Sequence, residues 1–124
     1  MPAEPSTPPP APIPAPGPPP AGVPLLPRAV DLHAHFLPEQ YRRSALAHGE
    51  THPDGMPYLP EWNAADAVTM MDEVGIAAAA LSLSAPGVSF LADPGEQAAL
   101  VRAVNEDGAA AVAACPHRFG LLAS

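Results

Sequence analysis

Cysteine, basic residues and long apolar runs are all scarce in this 124-residue chain, and each scarcity excludes something. Cys115 is the only cysteine, so no internal disulfide can form and a secreted, disulfide-stapled fold is disfavoured. Five Lys and Arg stand against 13 Asp and Glu, a net charge of −8. An acidic chain without a Lys/Arg cluster is poorly suited to holding a phosphate backbone, which argues against nucleic-acid binding. No stretch reaches the ~18 uninterrupted apolar residues of a membrane span. The N-terminus lacks the charged and then apolar regions of a signal peptide. Together these absences make a cytoplasmic protein the expectation.

Proline is abundant but unevenly placed. Of its 20 prolines, 13 lie in residues 1–27, where Ala and Gly supply six of the other 14 positions. Proline fixes φ and removes backbone donors, so this tract favours extended polyproline II over any ladder. It also carries too little bulky apolar surface to offset ordering entropy, and is expected to be a disordered tail. A docking peptide for an SH3 or WW domain is the sharper alternative, weakened by the absence of Arg, Lys and Tyr before Arg28. The folded part is expected over residues 28–124.

From Ala29 the pattern changes. Ala29–Phe36 (AVDLHAHF) alternates as a strand. Residues 39–62 read as a long irregular loop carrying His48 and His52. Asn63 caps a helix, with Asp66 completing an approximate capping box. Val68, Met71 and Val74 form its apolar stripe, and Gly75 stops it. Ile76–Ser84 is a second strand. Asp93, Pro94 and Glu96 open a second helix, whose buried side is marked by Leu100, Val101, Val104 and Val112 and which Gly108 is expected to kink or break. Pro116 ends it, and Phe119–Ala123 is a third strand. This β-loop-α-β-α-β order implies an α/β fold with a parallel sheet.

The informative motif is Asp31-Leu32-His33-Ala34-His35. Residues two apart on a strand face the same way, so His33 and His35 aim their imidazoles at one spot. Two neutral imidazoles at this spacing can share a divalent cation. Asp31, on the same face one step below, is placed to orient an imidazole. The pair alone is a weak motif, and two hydrogen-bonded core histidines are the plain alternative. Trp62 and Ser84 are weaker substrate-binding candidates, with packing and a turn as their ordinary roles. Arg42 or Arg43 could pair with a substrate carboxylate, although surface placement is the simpler expectation. His48 and His52 are expected to be solvated, His117 to sit at the stability end of the third strand, and Cys115 to be a small buried hydrophobe.

Val30–Ala123 resembles the N-terminal region of the amidohydrolase-2 family, in the branch holding aminocarboxymuconate-semialdehyde decarboxylase-like enzymes. VDLHAHFLPEQYR is similar to that family's first strand and loop, and MDEVGIAAAALSLSAPGV to its first helix, second strand and turn. VNEDGAAAVAACPHRFGLLAS is similar to its second helix and third strand. PDGMPYLPEW and SAPGV resemble most the 6-methylsalicylate decarboxylases of that branch. The resemblance implies the first three strands and two helices of a TIM-type (β/α)8 barrel. It also implies a metal-dependent decarboxylase acting on a small aromatic or unsaturated carboxylate, and leaves room for a homo-oligomer. His33 and His35 inherit the role of metal ligands, to zinc by analogy, while the family's remaining ligands belong to later strands and its acid/base group is expected beyond Ser124. A hydrolase on the same barrel is the alternative within enzymes. Outside them stands a truncated, non-catalytic fragment with a proline-rich interaction peptide.

Overall fold

The computed structural model describes residues 29–124, so the expected proline-rich tail lies outside the described residues. Seven elements follow in order: strand β1 (Ala29–Phe36), helix α1 (Glu39–Ala47), a 3-10 turn (Pro53–Gly55), α2 (Ala64–Val74), β2 (Ile76–Leu83), α3 (Pro94–Ala114) and β3 (Phe119–Leu121). The strands pair in the order β1-β2-β3, all parallel, with α2 and α3 as the crossovers. Among the described residues no helix is long and apolar enough to cross a membrane.

The punctuation read from the sequence is largely what the chain uses. The Asn63 side-chain oxygen accepts from the Asp66 backbone N–H at 2.9 Å, and the Asp66 carboxylate accepts from the Asn63 side-chain amide at 2.6 Å rather than from its backbone N–H. Gly75 closes α2 in the left-handed region at φ 79°, which only glycine adopts without strain. Asp93 accepts from the Glu96 amide at 2.8 Å at the start of α3, with Pro94 in the first turn.

Four expectations are corrected. Residues 39–62 are not one irregular loop, because Glu39–Ala47 forms α1. Its Pro38 start supplies no side-chain cap, and only Tyr41 and Ala45, one turn apart, are buried, so its periodic signal is weak. Val74 lies on the exposed side of α2, and Met71 is that helix's fully buried residue. The last two strands are shorter than expected, ending at Leu83 and Leu121. Finally, α3 runs unbroken through Gly108 for 21 residues.

Gly108 is there for close approach. A β-carbon at this position would lie 2.6 Å from Leu121 Cδ1 and 3.0 Å from Phe36 Cζ. With Val104 and Ala111 it forms the buried stripe of α3, the seam at which the helix meets the sheet. Phe36, Ala79, Leu81 and Phe119 from the strands join Met71, Val104 and Ala111 from the helices in a single core on one sheet face. Tyr41 is fully buried in that core, and its hydroxyl donates to the Gly87 carbonyl at 2.9 Å. Below β2, Arg118 bonds the Ile76 and Ala77 carbonyls and pairs with Asp72 at 2.8 Å.

Two measurements check this packing. Gly108→Ala is expected to destabilise the fold by up to about 2 kcal/mol. Overpacking costs roughly 1–3 kcal/mol, against the ~1 kcal/mol that alanine gains over glycine in a helix. A denaturant titration showing a gain would disprove the close-approach role. Burial, reinforced by the Glu50 charge, pushes the Tyr41 phenol up from 10.0 to about 12. Its unfolded-state pKa is the lower one, so its contribution is intact below pH 10.0 and is lost as pH climbs toward about 12. That alkaline loss should shrink in Tyr41→Phe, read from unfolding midpoints across this pH range.

Candidate functional site

The second half of β1 places the histidines. His33 and His35 converge on the uncovered sheet face, with Nε2 to Nε2 at 3.0 Å and rings edge-to-face at 79°. Both are exposed, as are Val30 (58%) and Leu32 (72%) on the same strand, so this side of the sheet lacks a covering layer among the described residues.

A bulge governs how they get there. Asp31 pairs with Ala79 and Ala34 with Leu81, three steps along β1 against two along β2. The extra residue breaks the simple alternation. Asp31 falls in step with the buried Ala79–Leu81 row, whereas His35 pairs with Ser82 on the opposite face. The expectation that Asp31 shares the imidazole face is therefore corrected. Its carboxylate instead accepts the His33 backbone N–H at 2.9 Å, taking up a donor at the bulge rather than orienting a ring.

Ser82 is the neighbour that sequence reading missed. Its Oγ lies 3.5 Å from His35 Nδ1, across the in-register pair. The only signal for it was the LSLS alternation of β2, which needs the β1–β2 register before it points at His35. Ser84, a substrate-binding candidate from the sequence, is 1% exposed just beyond β2. Its hydroxyl is enclosed and without a hydrogen-bond partner, while its carbonyl accepts from Gly87 in the following turn. Trp62 packs edge-to-face on Phe36 and tilts against Phe119, with ring centroids at 5.5 and 6.3 Å. It belongs to the helix-covered core.

The other candidates are not brought to the histidine pair. The His48 ring bonds the Ser44 carbonyl at the end of α1 and leans on Phe90. His52 contacts Thr51 beside the 3-10 turn, and His117 is exposed just before β3. Arg42 reaches the Leu59 carbonyl, Glu39 and Glu61, and Arg43 pairs with Glu39. Cys115 is a half-buried free thiol capping α3. An open hollow between α1 and α3, lined by Gln40, Ser44, His48 and Glu96, lies among the helices and excludes the pair. Among the described residues no group of three or more His, Cys, Asp or Glu is placed to hold a metal, so this segment presents two donors and no complete shell.

A parallel α/β sheet whose first strand carries two converging imidazoles near its C-terminal end has the form of the opening strands of a (β/α)8 barrel. No protein-family model matches the chain. It is, however, 38% identical over 96 residues to decarboxylase yanB of Aspergillus niger, covering 77% of this chain and 26% of that protein. It is 33% identical over 95 residues to 6-methylsalicylic acid decarboxylase acuB of Aspergillus aculeatus, covering 77% and 28%. A crystal structure of an amidohydrolase II superposes with a TM-score of 0.69 at 37% identity, covering 76% of this chain and 30% of that one. A dihydroxybenzoic acid decarboxylase from Polaromonas sp. JS666, solved with manganese and 2-nitroresorcinol, superposes at 0.60 with 28% identity, covering 80% and 30%. The described residues match the opening section of an amidohydrolase-type barrel and are similar over that section to decarboxylases. The chain spans 26–30% of the length of these relatives.

One prediction follows for the bulge. Asp31→Ala should destabilise by roughly 1 kcal/mol, the usual worth of such a hydrogen bond, while Asp31→Asn keeps the acceptor and most of the stability. Chemical denaturation of the three proteins measures this, and equal losses in both variants would show that charge matters instead.

Proposed function

We propose that His33 and His35 are the first-strand half of a divalent-metal site in a carboxy-lyase acting on a small aromatic carboxylate such as 6-methylsalicylate. The observation that carries this reading is the 3.0 Å approach of the two Nε2 atoms. Adjacent nitrogen donors on one cation sit at about this separation when each bond is ~2.0–2.1 Å. The donor set fits: two neutral imidazole nitrogens on an accessible face suit zinc, and manganese is held by the related Polaromonas enzyme. Zinc remains the specific proposal from family resemblance. The names of the curated relatives favour a lyase over a hydrolase, which the same architecture also supports.

When bound, the cation supplies polarisation of a substrate oxygen and stabilisation of the charge that develops as carbon dioxide leaves. This chain's own contribution is narrower. His33 and His35 fix two donors on a strand, a more rigid base than a loop, and the bulge with its Asp31 bond sets the backbone leading into His33. The core beneath, from Phe36 to Leu81, holds that strand against α3.

Metal analysis of protein expressed from its full coding region, with zinc and manganese offered separately, tests the proposal. His33→Ala/His35→Ala is expected to lose most of the bound metal, and carbon dioxide release from 6-methylsalicylate should fall at least a hundredfold. Residues 1–124 alone are expected to bind metal weakly and to show no turnover above the metal-only background. Full metal content in the double variant would overturn the assignment.

A further inference from the structure

We infer that Leu122 forms the apolar wall of the substrate site and that Asn105 is the positioning residue that holds it there. The inference deepens the reading above, on which its substrate class rests, while the anchor is a matter of backbone geometry alone. The sheet register places the wall. Leu121 pairs with Leu81, so the next residues, Leu122 and Ser82, stand side by side, and Ser82 pairs with His35. Leu121 packs against the helix-covered core, and neighbours along a strand point to opposite faces. Leu122 therefore faces the open side with the imidazoles, and is 55% exposed there.

His35, Ser82 and Leu122 thus form one row across three strands. Neighbouring strands lie ~4.7–4.9 Å apart, which puts Leu122 two spacings from His35 along that row. What lies between and below them is small. Ser82 fills the middle, and the row beneath holds Ala80 and Gly120, which pair with each other. A β-carbon at Gly120 would meet nothing within 4 Å. The result is a shallow trough with an imidazole on one side and a leucine on the other. It suits a single flat ring that turns its polar groups to the histidines and an apolar edge, such as a methyl substituent, to Leu122.

The backbone at Leu122 is bracketed. Ala79 N–H donates to the Arg118 carbonyl and Leu122 N–H to the Leu81 carbonyl, both at 2.8 Å, tying β3 to β2. Bonds of a parallel ladder recur every two residues, so the next would join Ser124 N–H to the Leu83 carbonyl. Ser124 goes to α3 instead. Its N–H donates to Asn105 Oδ1 at 3.0 Å, and Asn105 Nδ2 donates to its carbonyl at 3.1 Å. A backbone N–H only donates and a carbonyl only accepts, so the two bonds also fix which way the amide points. Asn105 follows Val104 of the buried α3 seam, which gives the amide a rigid base. Leu122 is held by β2 on one side and, through Ser124, by α3 on the other. Without the amide, the end of β3 is free to fray or to re-pair with Leu83, and the wall loses its place.

Protein expressed from its full coding region serves for the test, read by hydrogen exchange at the Ser124 amide and by kinetics on 6-methylsalicylate. Asn105→Leu, close to asparagine in size but without its bonding groups, should speed Ser124 exchange about tenfold. Asn105→Asp keeps an acceptor for the Ser124 N–H and should recover most of the protection. Leu122→Ala should raise KM by about 10-fold or more with kcat little changed, the signature of lost uniform binding. Asn105→Leu should raise KM as well, and adding it to Leu122→Ala should cost nothing further, because it acts through that leucine. Unchanged exchange in Asn105→Leu, an unchanged KM in Leu122→Ala, or additive losses in the double variant would overturn the inference. A wild type that turns over no aromatic carboxylate would instead remove the reading above, and the wall with it, leaving the exchange data to decide the anchor.

Discussion

The parallel pairing of β1 with β2 is the constraint on which the rest depends. It supplies the sheet's longest ladder, and the irregularity within it sets the chemistry. A strand with strict alternation would have put Asp31, His33 and His35 in one row, with a carboxylate beside the imidazoles. The bulge after Asp31 removes the carboxylate from that row and ties it to the backbone. What remains on the open face is a pair of imidazoles with a serine hydroxyl beside one of them. Two nitrogen donors fill at most half of a four-coordinate shell, so a cation bound there would need ligands from other groups.

The opposite face explains why the open one can stay open. All the described helices contribute to one core, and the close approach of α3 at Gly108 brings Leu121 and Phe36 into the same seam. Tyr41 then reaches past the strands to the carbonyl of Gly87, linking α1 to the turn after β2. Arg118 clasps the start of β2 from below. The sheet is thus stabilised from one side and from its N-terminal end. The C-terminal half of β1 is left accessible, where parallel α/β folds place their chemistry.

Homology agrees with this division. The curated relatives share a third or more of their residues with the chain over 95–96 positions, a segment that is 26–28% of their length. Within it lie the three described strands and the histidine pair.

Much of the fold was legible because it is written in local chemistry. Asn63, Gly75, Asp93 and Pro94 mark helix ends by requirements that act within a few residues, and each does so in the structure. The β-α alternation implied parallel pairing for the same reason: a crossover helix leaves little else possible. Helix α1 escaped because two buried positions and an uncapped proline start give almost no periodic signal. Gly108 was misjudged because helix propensity is local, whereas the space it vacates is filled by Leu121 and Phe36 from other elements. The HxH spacing by itself determined that two imidazoles would meet on one side of a strand. Only the tertiary structure decided which neighbours they have. A one-residue bulge set by pairing with β2 sends Asp31 to the other row and brings Ser82 to His35, and register is a property of two strands that neither contains alone.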